Sequence, residues 1–111
     1  MPNKVDKIIQ QFINEISALI GNRLKKVILY GSYARGDYDK NSDIDIMILT
    51  DFTDEEIAKY RMKIRELACE LEAENDIIIS PLVRNIEKYN NRIDIVPFYM
   101  NIQKEGEILY G

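Results

Sequence analysis

From Val5 onward the apolar residues Val5, Ile8, Ile9, Phe12, Ile16, Leu19 and Ile20 recur at helical spacing, and Gly21-Asn22 supplies a stop. An amphipathic helix is expected there. The pattern then changes period. "KKVILYG" is a continuous apolar run behind Lys25 and Lys26, which suggests a strand buried on both faces, and "DIDIMIL" reads as a second strand reached through the polar turn "DYDKNS". Thr53 with Glu56 three residues on forms a capping box, and Asp54 and Glu55 suit the positive end of a helix dipole. A long helix should follow, burying Ile57, Tyr60, Ile64, Leu67, Ala68 and Leu71 and ending at "AEND", with Cys69 at the edge of that stripe. "DIIISPLV" reads as a third strand that begins at Asp76, in which Pro81 lacks an amide hydrogen and so points to an edge or a bulge. The remainder, "RNIEKYNNRIDIVPFYMNIQKEGEILYG", reads as one or two helices with Pro97 in a first turn and Gly106 as a stop.

This order predicts an α/β (α+β) fold, a small mixed β-sheet flanked by helices. The chain has 111 residues, which fits one domain spanning 1–111 with a real core and room for one site. Composition then narrows the function. With 15 Lys and Arg against 19 Asp and Glu the formal net charge is -4, so a long nucleic acid is not the expected partner. One cysteine cannot form an internal disulfide, "MPNKVDKIIQQF" lacks the apolar core of a signal peptide, and no segment approaches the ~20 apolar residues of a membrane span. A cytoplasmic protein is expected. The absence of histidine removes the commonest general base and the commonest zinc ligand, so acid-base or metal chemistry must fall to carboxylates, whose natural metals are magnesium, manganese or calcium.

The stretch "LYGSYARGDYDKNSDIDIMIL" concentrates such chemistry. A strand sends every second side chain to the same face, so Asp43 and Asp45 point one way while Ile44 and Ile46 point the other. Two ionised carboxylates so placed repel each other unless a cation lies between them, and magnesium is commonly held by one or two carboxylates plus substrate phosphates. "GSYARG" offers a phosphate cradle. Gly31 lets a ligand approach the backbone and leads into a short helical turn with free amides, and Ser32 can cap that turn or donate to a phosphate oxygen. Arg35 carries a positive charge in the first turn, where it opposes the dipole, which implies an anionic partner: phosphate or Asp37. A glycine-serine pair alone is usually just a turn, and an Asp-x-Asp alone is usually a solvated strand edge. Their joint occurrence across adjacent strands carries the weight.

"GSYARG" followed by "NSDIDIMIL" resembles the GS-x-x-R-G and S-D-x-D signature of the nucleotidyltransferase superfamily, and the short length is similar to its minimal bacterial and archaeal members. The resemblance implies that Asp43 and Asp45 hold two Mg2+ ions that clamp ATP, while Gly31, Ser32, Arg35 and Ser42 bind the nucleotide. It also implies a third carboxylate on a later strand, which completes the metal site and helps deprotonate the acceptor. Asp76 is the first candidate and Asp94, in "RIDIV", the second; "IIISPLV" itself holds no acid.

The activity so implied is transfer of AMP from ATP to a protein or small-molecule acceptor. Minimal members commonly accompany a HEPN-domain ribonuclease toxin, so the resemblance further implies an antitoxin that modifies that partner. The alternative is a binding module, a catalytically silent member of the fold that masks a partner by contact; the tail residues Phe98, Tyr99, Met100, Ile108, Leu109 and Tyr110 would then form the contact surface, where otherwise they cover the core. An antibiotic-modifying enzyme would need a further substrate domain.

Overall fold

The computed structural model describes residues 3–111, so the first two residues of the stretch weighed as a leader lie outside it. Helix α1 (Asn3–Ile20) buries Val5, Ile8, Ile9, Phe12, Ile13, Ile16 and Ile20 on one face. A 3-10 turn at Gly21–Arg23 then delivers the chain into β1 (Leu24–Tyr30). After one helical turn, α2 (Ser32–Arg35), β2 (Ile44–Thr50) returns antiparallel to β1. The capping box forms: the Glu56 amide donates to Thr53 Oγ1 and the Thr53 amide to Glu56 Oε1, opening α3 (Asp54–Asn75). This helix buries Ile57, Ile64, Ala68 and Leu71, with Tyr60 and Leu67 partly covered. Parallel strands need a long crossover, and α3 supplies it between β2 and β3 (Ile79–Asn85).

Strand alternation divides the sheet into two covered faces. Val27, Leu29, Ile44, Ile46, Ile48, Ile79 and Val83 pack with α1 and α3, whereas Ile28, Met47 and Leu49 pack with Tyr89 of α4 (Ile86–Arg92) and Ile102 of α5 (Pro97–Glu105). The sheet order is β3-β2-β1-β4, which makes it mixed and four-stranded, as the expected fold class requires. Pro81 does lie on an edge strand. That edge is blunted against further pairing: the Ile79 amide donates to Glu72 Oε2, Arg65 Nη1 to the Ile79 carbonyl and Arg84 Nη1 to the Val83 carbonyl, and Pro81 has no donor.

Three expectations are corrected. Asp76 does not begin the third strand; it is the C-cap of α3, left-handed at φ 52, and β3 starts only at Ile79. Aspartate tolerates that conformation because its short side chain bonds locally, so "AEND" ends as a helix cap rather than opening a strand. The tail is not helical throughout: β4 (Glu107–Tyr110) adds antiparallel to β1 after Gly106. Cys69 is exposed rather than at the edge of the core. Among the described residues no helix is long and apolar enough to cross a membrane.

Candidate active site

At the end of β1 the backbone of Gly31 turns through φ 76 and ψ -156 and becomes the N-cap of α2. Its carbonyl accepts from the amides of Ala34 (3.1 Å) and Arg35 (3.0 Å). The two amides before them, of Ser32 and Tyr33, have no acceptor within the helix and are the donors left for an anion. Gly36, left-handed at φ 87, closes the turn with its amide on the Ser32 carbonyl at 2.9 Å. Gly31 is required for a second reason. A Cβ at that position would push aside Oδ2 of Asp45, so glycine is what lets the turn and the acidic strand lie this close with the carboxylate where it is.

The loop from Gly36 to Asp43 folds back over α2. The Tyr38 ring stacks on the buried Tyr33 ring, with centroids 4.5 Å apart and planes 10° off parallel. Asp39 and Ser42 fasten the loop: the Asp39 amide donates to Ser42 Oγ at 2.9 Å and the Asn41 amide to Asp39 Oδ1 at 2.8 Å. The Ser42 hydroxyl is thus engaged in the loop that delivers Asp43.

Asp45 stands directly across from Tyr30 on the antiparallel ribbon and beside Ser80 on parallel β3. Both neighbours share its face, because paired residues in a sheet point to the same side. Ser80 Oγ donates to Asp43 Oδ2 at 3.4 Å, a long bond. None of the ion pairs among the described residues involves Asp43 or Asp45. Burial first, and the Asp43 charge second, raise the Asp45 carboxyl above its usual range, against a weaker pull from Arg35. Tyr30 is pushed up to about 12 by burial and by the Asp45 charge, with Arg84 opposing.

Arg35 meets its expected anion within the chain. Its Nε donates to Asp37 Oδ2 at 3.1 Å and its Nη1 to Glu105 Oε2 at 3.3 Å, so it ties the α2 turn to the end of α5. Asp76 lies in a cleft of about 570 Å3 with Ser42, Asp43 and Glu72, whereas Asp45 does not line that cleft. Asp94 is exposed in the turn between α4 and α5. Among the described residues no three acidic side chains converge as a metal-holding group. The structure therefore joins Gly31, Asp43 and Asp45 in one site but does not bring Asp76 or Asp94 into contact with the pair. Two unpaired carboxylates with hard oxygen donors still fit Mg2+, which needs few protein ligands when phosphates supply others.

Sequence reasoning missed Ser80, Tyr30 and Glu105. Their signal lay in strand pairing and helix docking, not in local spacing.

The Nucleotidyltransferase domain family matches residues 9–108, so the chain belongs to that family. Two relatives from Methanocaldococcus jannaschii, each named "Putative protein adenylyltransferase", are similar along most of their length. One is 35% identical over 95% of this chain and 97% of its own, the other 38% over 86% and 95%. Among solved structures, one described as a toxin-antitoxin with AMP-PNP superposes with a TM-score of 0.58 at 24% identity, covering 91% of this chain and 72% of the other. At that identity the match shows the fold alone.

Proposed function

We propose that this chain is a cytoplasmic, Mg2+-dependent adenylyltransferase that moves AMP from ATP to a partner protein, a HEPN-domain toxin for which it serves as antitoxin. The observation that carries the reading is the packing of the Asp45 carboxylate against Gly31, with Asp43 alongside, which couples a phosphate-binding turn to an unneutralised acid pair. The names of the Methanocaldococcus relatives support protein adenylylation; the nucleotide and the toxin partner are taken from the motif resemblance, and the structure described as a toxin-antitoxin with AMP-PNP adds only that a protein of this fold is so described.

The acceptor oxygen forms a bond to the α-phosphorus as the bond to the bridging oxygen of pyrophosphate breaks. Asp43 and Asp45 would hold Mg2+, which when bound offsets charge on the phosphates. Gly31 and the Ser32 and Tyr33 amides that open α2 would bind phosphate oxygens, and Arg35 would hold the turn in place through Asp37 and Glu105. With Ser80 at the β3 position beside Asp45, this chain offers no acid there to take the acceptor's proton, so that proton would leave to water or to the partner.

The test is incubation with ATP labelled on the α-phosphate, Mg2+ and a candidate HEPN-domain partner from the same organism. Label should pass to the partner and pyrophosphate should accumulate. The two-acid site also suits a binding module that neutralises the partner by contact. Neutralisation without label transfer would select that reading.

A further inference from the structure

A second cavity, of about 260 Å3, opens between the end of β1, α2 and α5, lined by Tyr30, Arg35, Phe98, Asn101, Ile102 and Glu105. We infer that it seats the base of the nucleotide, an adenine-type purine, with Phe98 as the stacking platform and Asn101 as the group that reads the base edge. The inference rests on the adenylyltransferase reading above and deepens it.

The position of the cavity is the first ground. Tyr30 is the direct cross-strand neighbour of Asp45, and Arg35 belongs to the turn that Gly31 begins, so the cavity borders the acid pair on one side and the phosphate turn on another. A nucleotide separates its phosphates from its base by one ribose, which suits two adjoining compartments.

The chemistry of the walls is the second ground. Phe98 is 42% exposed and belongs to neither core cluster, yet it is held edge-on to Tyr30 at 5.6 Å and 80°, so its ring is fixed without being used by the core. The charges in the wall cancel: Arg35 is already bonded to Glu105 and Asp37, leaving little attraction for a further phosphate. A neutral heteroaromatic ring fits an aromatic side chain, an aliphatic Ile102 and a carboxamide, and stacking on an aromatic ring tolerates any base. Selection then falls to the edge, where the Asn101 carboxamide can donate and accept at once, matching the amino group and ring nitrogen of adenine.

Calorimetric titration of the full chain with a nonhydrolysable ATP analogue and Mg2+ tests the assignment, with melting curves run on every variant. Phe98→Leu, which keeps apolar volume but removes the ring, should weaken binding by about tenfold or more, whereas Phe98→Trp should stay within about threefold of the parent. Asn101→Ala should narrow the preference for the ATP analogue over its GTP counterpart. If Phe98→Leu binds as the parent does while Asp43→Asn with Asp45→Asn loses binding, the base lies elsewhere and the active-site reading stands. If the double aspartate variant binds normally, that reading itself fails. Unchanged nucleotide affinity in Phe98→Leu, with a raised requirement for the acceptor protein, would give the cavity to the acceptor and overturn the inference.

Discussion

The ribbon of β1 and β2 has two ends that treat charge in opposite ways. Where Leu24 faces Thr50, Arg23 bonds Asp51 and, through two nitrogens at 3.0 Å, both oxygens of Glu56, while its guanidinium lies 4.7 Å from the centre of the Phe52 ring. Where Tyr30 faces Asp45, two carboxylates stand together and no ion pair among the described residues engages them. At the first end acidity falls out of reach: Arg23, helped by the Thr53 amide, holds Glu56 down to about 2. At the second, burial and Asp43 raise Asp45. One end is satisfied internally and serves the fold. The other is left incomplete, which is what the proposed cation and phosphate site requires.

The strongest way to break this contrast is to neutralise the incomplete end. Asp43→Asn with Asp45→Asn should reduce AMP transfer by at least roughly 10²–10³-fold, the scale seen when charge-stabilising groups are removed from active sites. Stability should move the other way. Because the Asp45 pKa is raised in the folded state, its ionisation weighs on the fold increasingly as pH rises from the ordinary carboxylate value through the raised one. In EDTA the variant should therefore melt above the parent at neutral pH, and the gap should close in acid. A lower melting temperature for the variant at pH 7 would refute the repulsion.

A smaller break comes at Gly31. Gly31→Ala puts a methyl against the Asp45 carboxylate and forces a residue with a Cβ into a left-handed conformation, a strain of about 1–3 kcal/mol. Denaturant unfolding should show that loss, and calorimetry with the ATP analogue and Mg2+ should show weaker binding. A stable variant that binds normally would mean that the turn and the acid strand are not coupled.

How these two ends were legible in the sequence differs for a physical reason. The chain from α1 through α3 was readable because each element carries its own period and its own stops, such as Gly21 after α1 and the Thr53–Glu56 box before α3. The turn and the acid pair were readable because Gly31, Ser32, Asp43 and Asp45 are close in sequence and a strand fixes the side to which the acids point. Strand β4 was not, since four residues with Ile108, Leu109 and Tyr110 in succession give no alternation, and their pairing with β1 is remote in sequence. Ser80 beside Asp45 follows only from the parallel register of β2 and β3. Asp76 was misplaced because "DIII" reads as the start of a strand, whereas the helix runs to Asn75 and spends Asp76 on its cap.

At the satisfied end the expected effects are on stability alone. Thr53→Ala removes the cap acceptor for the Glu56 amide and should cost about 1 kcal/mol in denaturant unfolding. Glu56→Gln should lower the melting temperature at neutral pH. Because the folded pKa is depressed, the parent's advantage is present above the ordinary glutamate value and is lost as pH falls toward about 2. AMP transfer should be unchanged in both variants once they are assayed below their melting temperatures, and a loss there would mean that the two ends communicate.

The smallest expected effect is at Asp76. As the left-handed C-cap of α3 it makes a backbone demand that asparagine meets equally well, so Asp76→Asn should leave stability within about 0.5 kcal/mol. It shares a cleft with Asp43 but not with Asp45, and it joins no three-acid group among the described residues. Transfer by Asp76→Asn should accordingly stay within about threefold of the parent, far from the roughly 10²–10⁴-fold that removal of a general base produces. A hundredfold loss with intact nucleotide binding would instead make Asp76 the proton acceptor and require the α3–β3 connection to close on the acid pair when the nucleotide binds. Ser80→Asp separates the possibilities further, because it places a third carboxylate on the face that Asp45 already shares. If the site lacks only that group, the variant should bind Mg2+ more tightly and, without metal, melt lower at neutral pH than the parent.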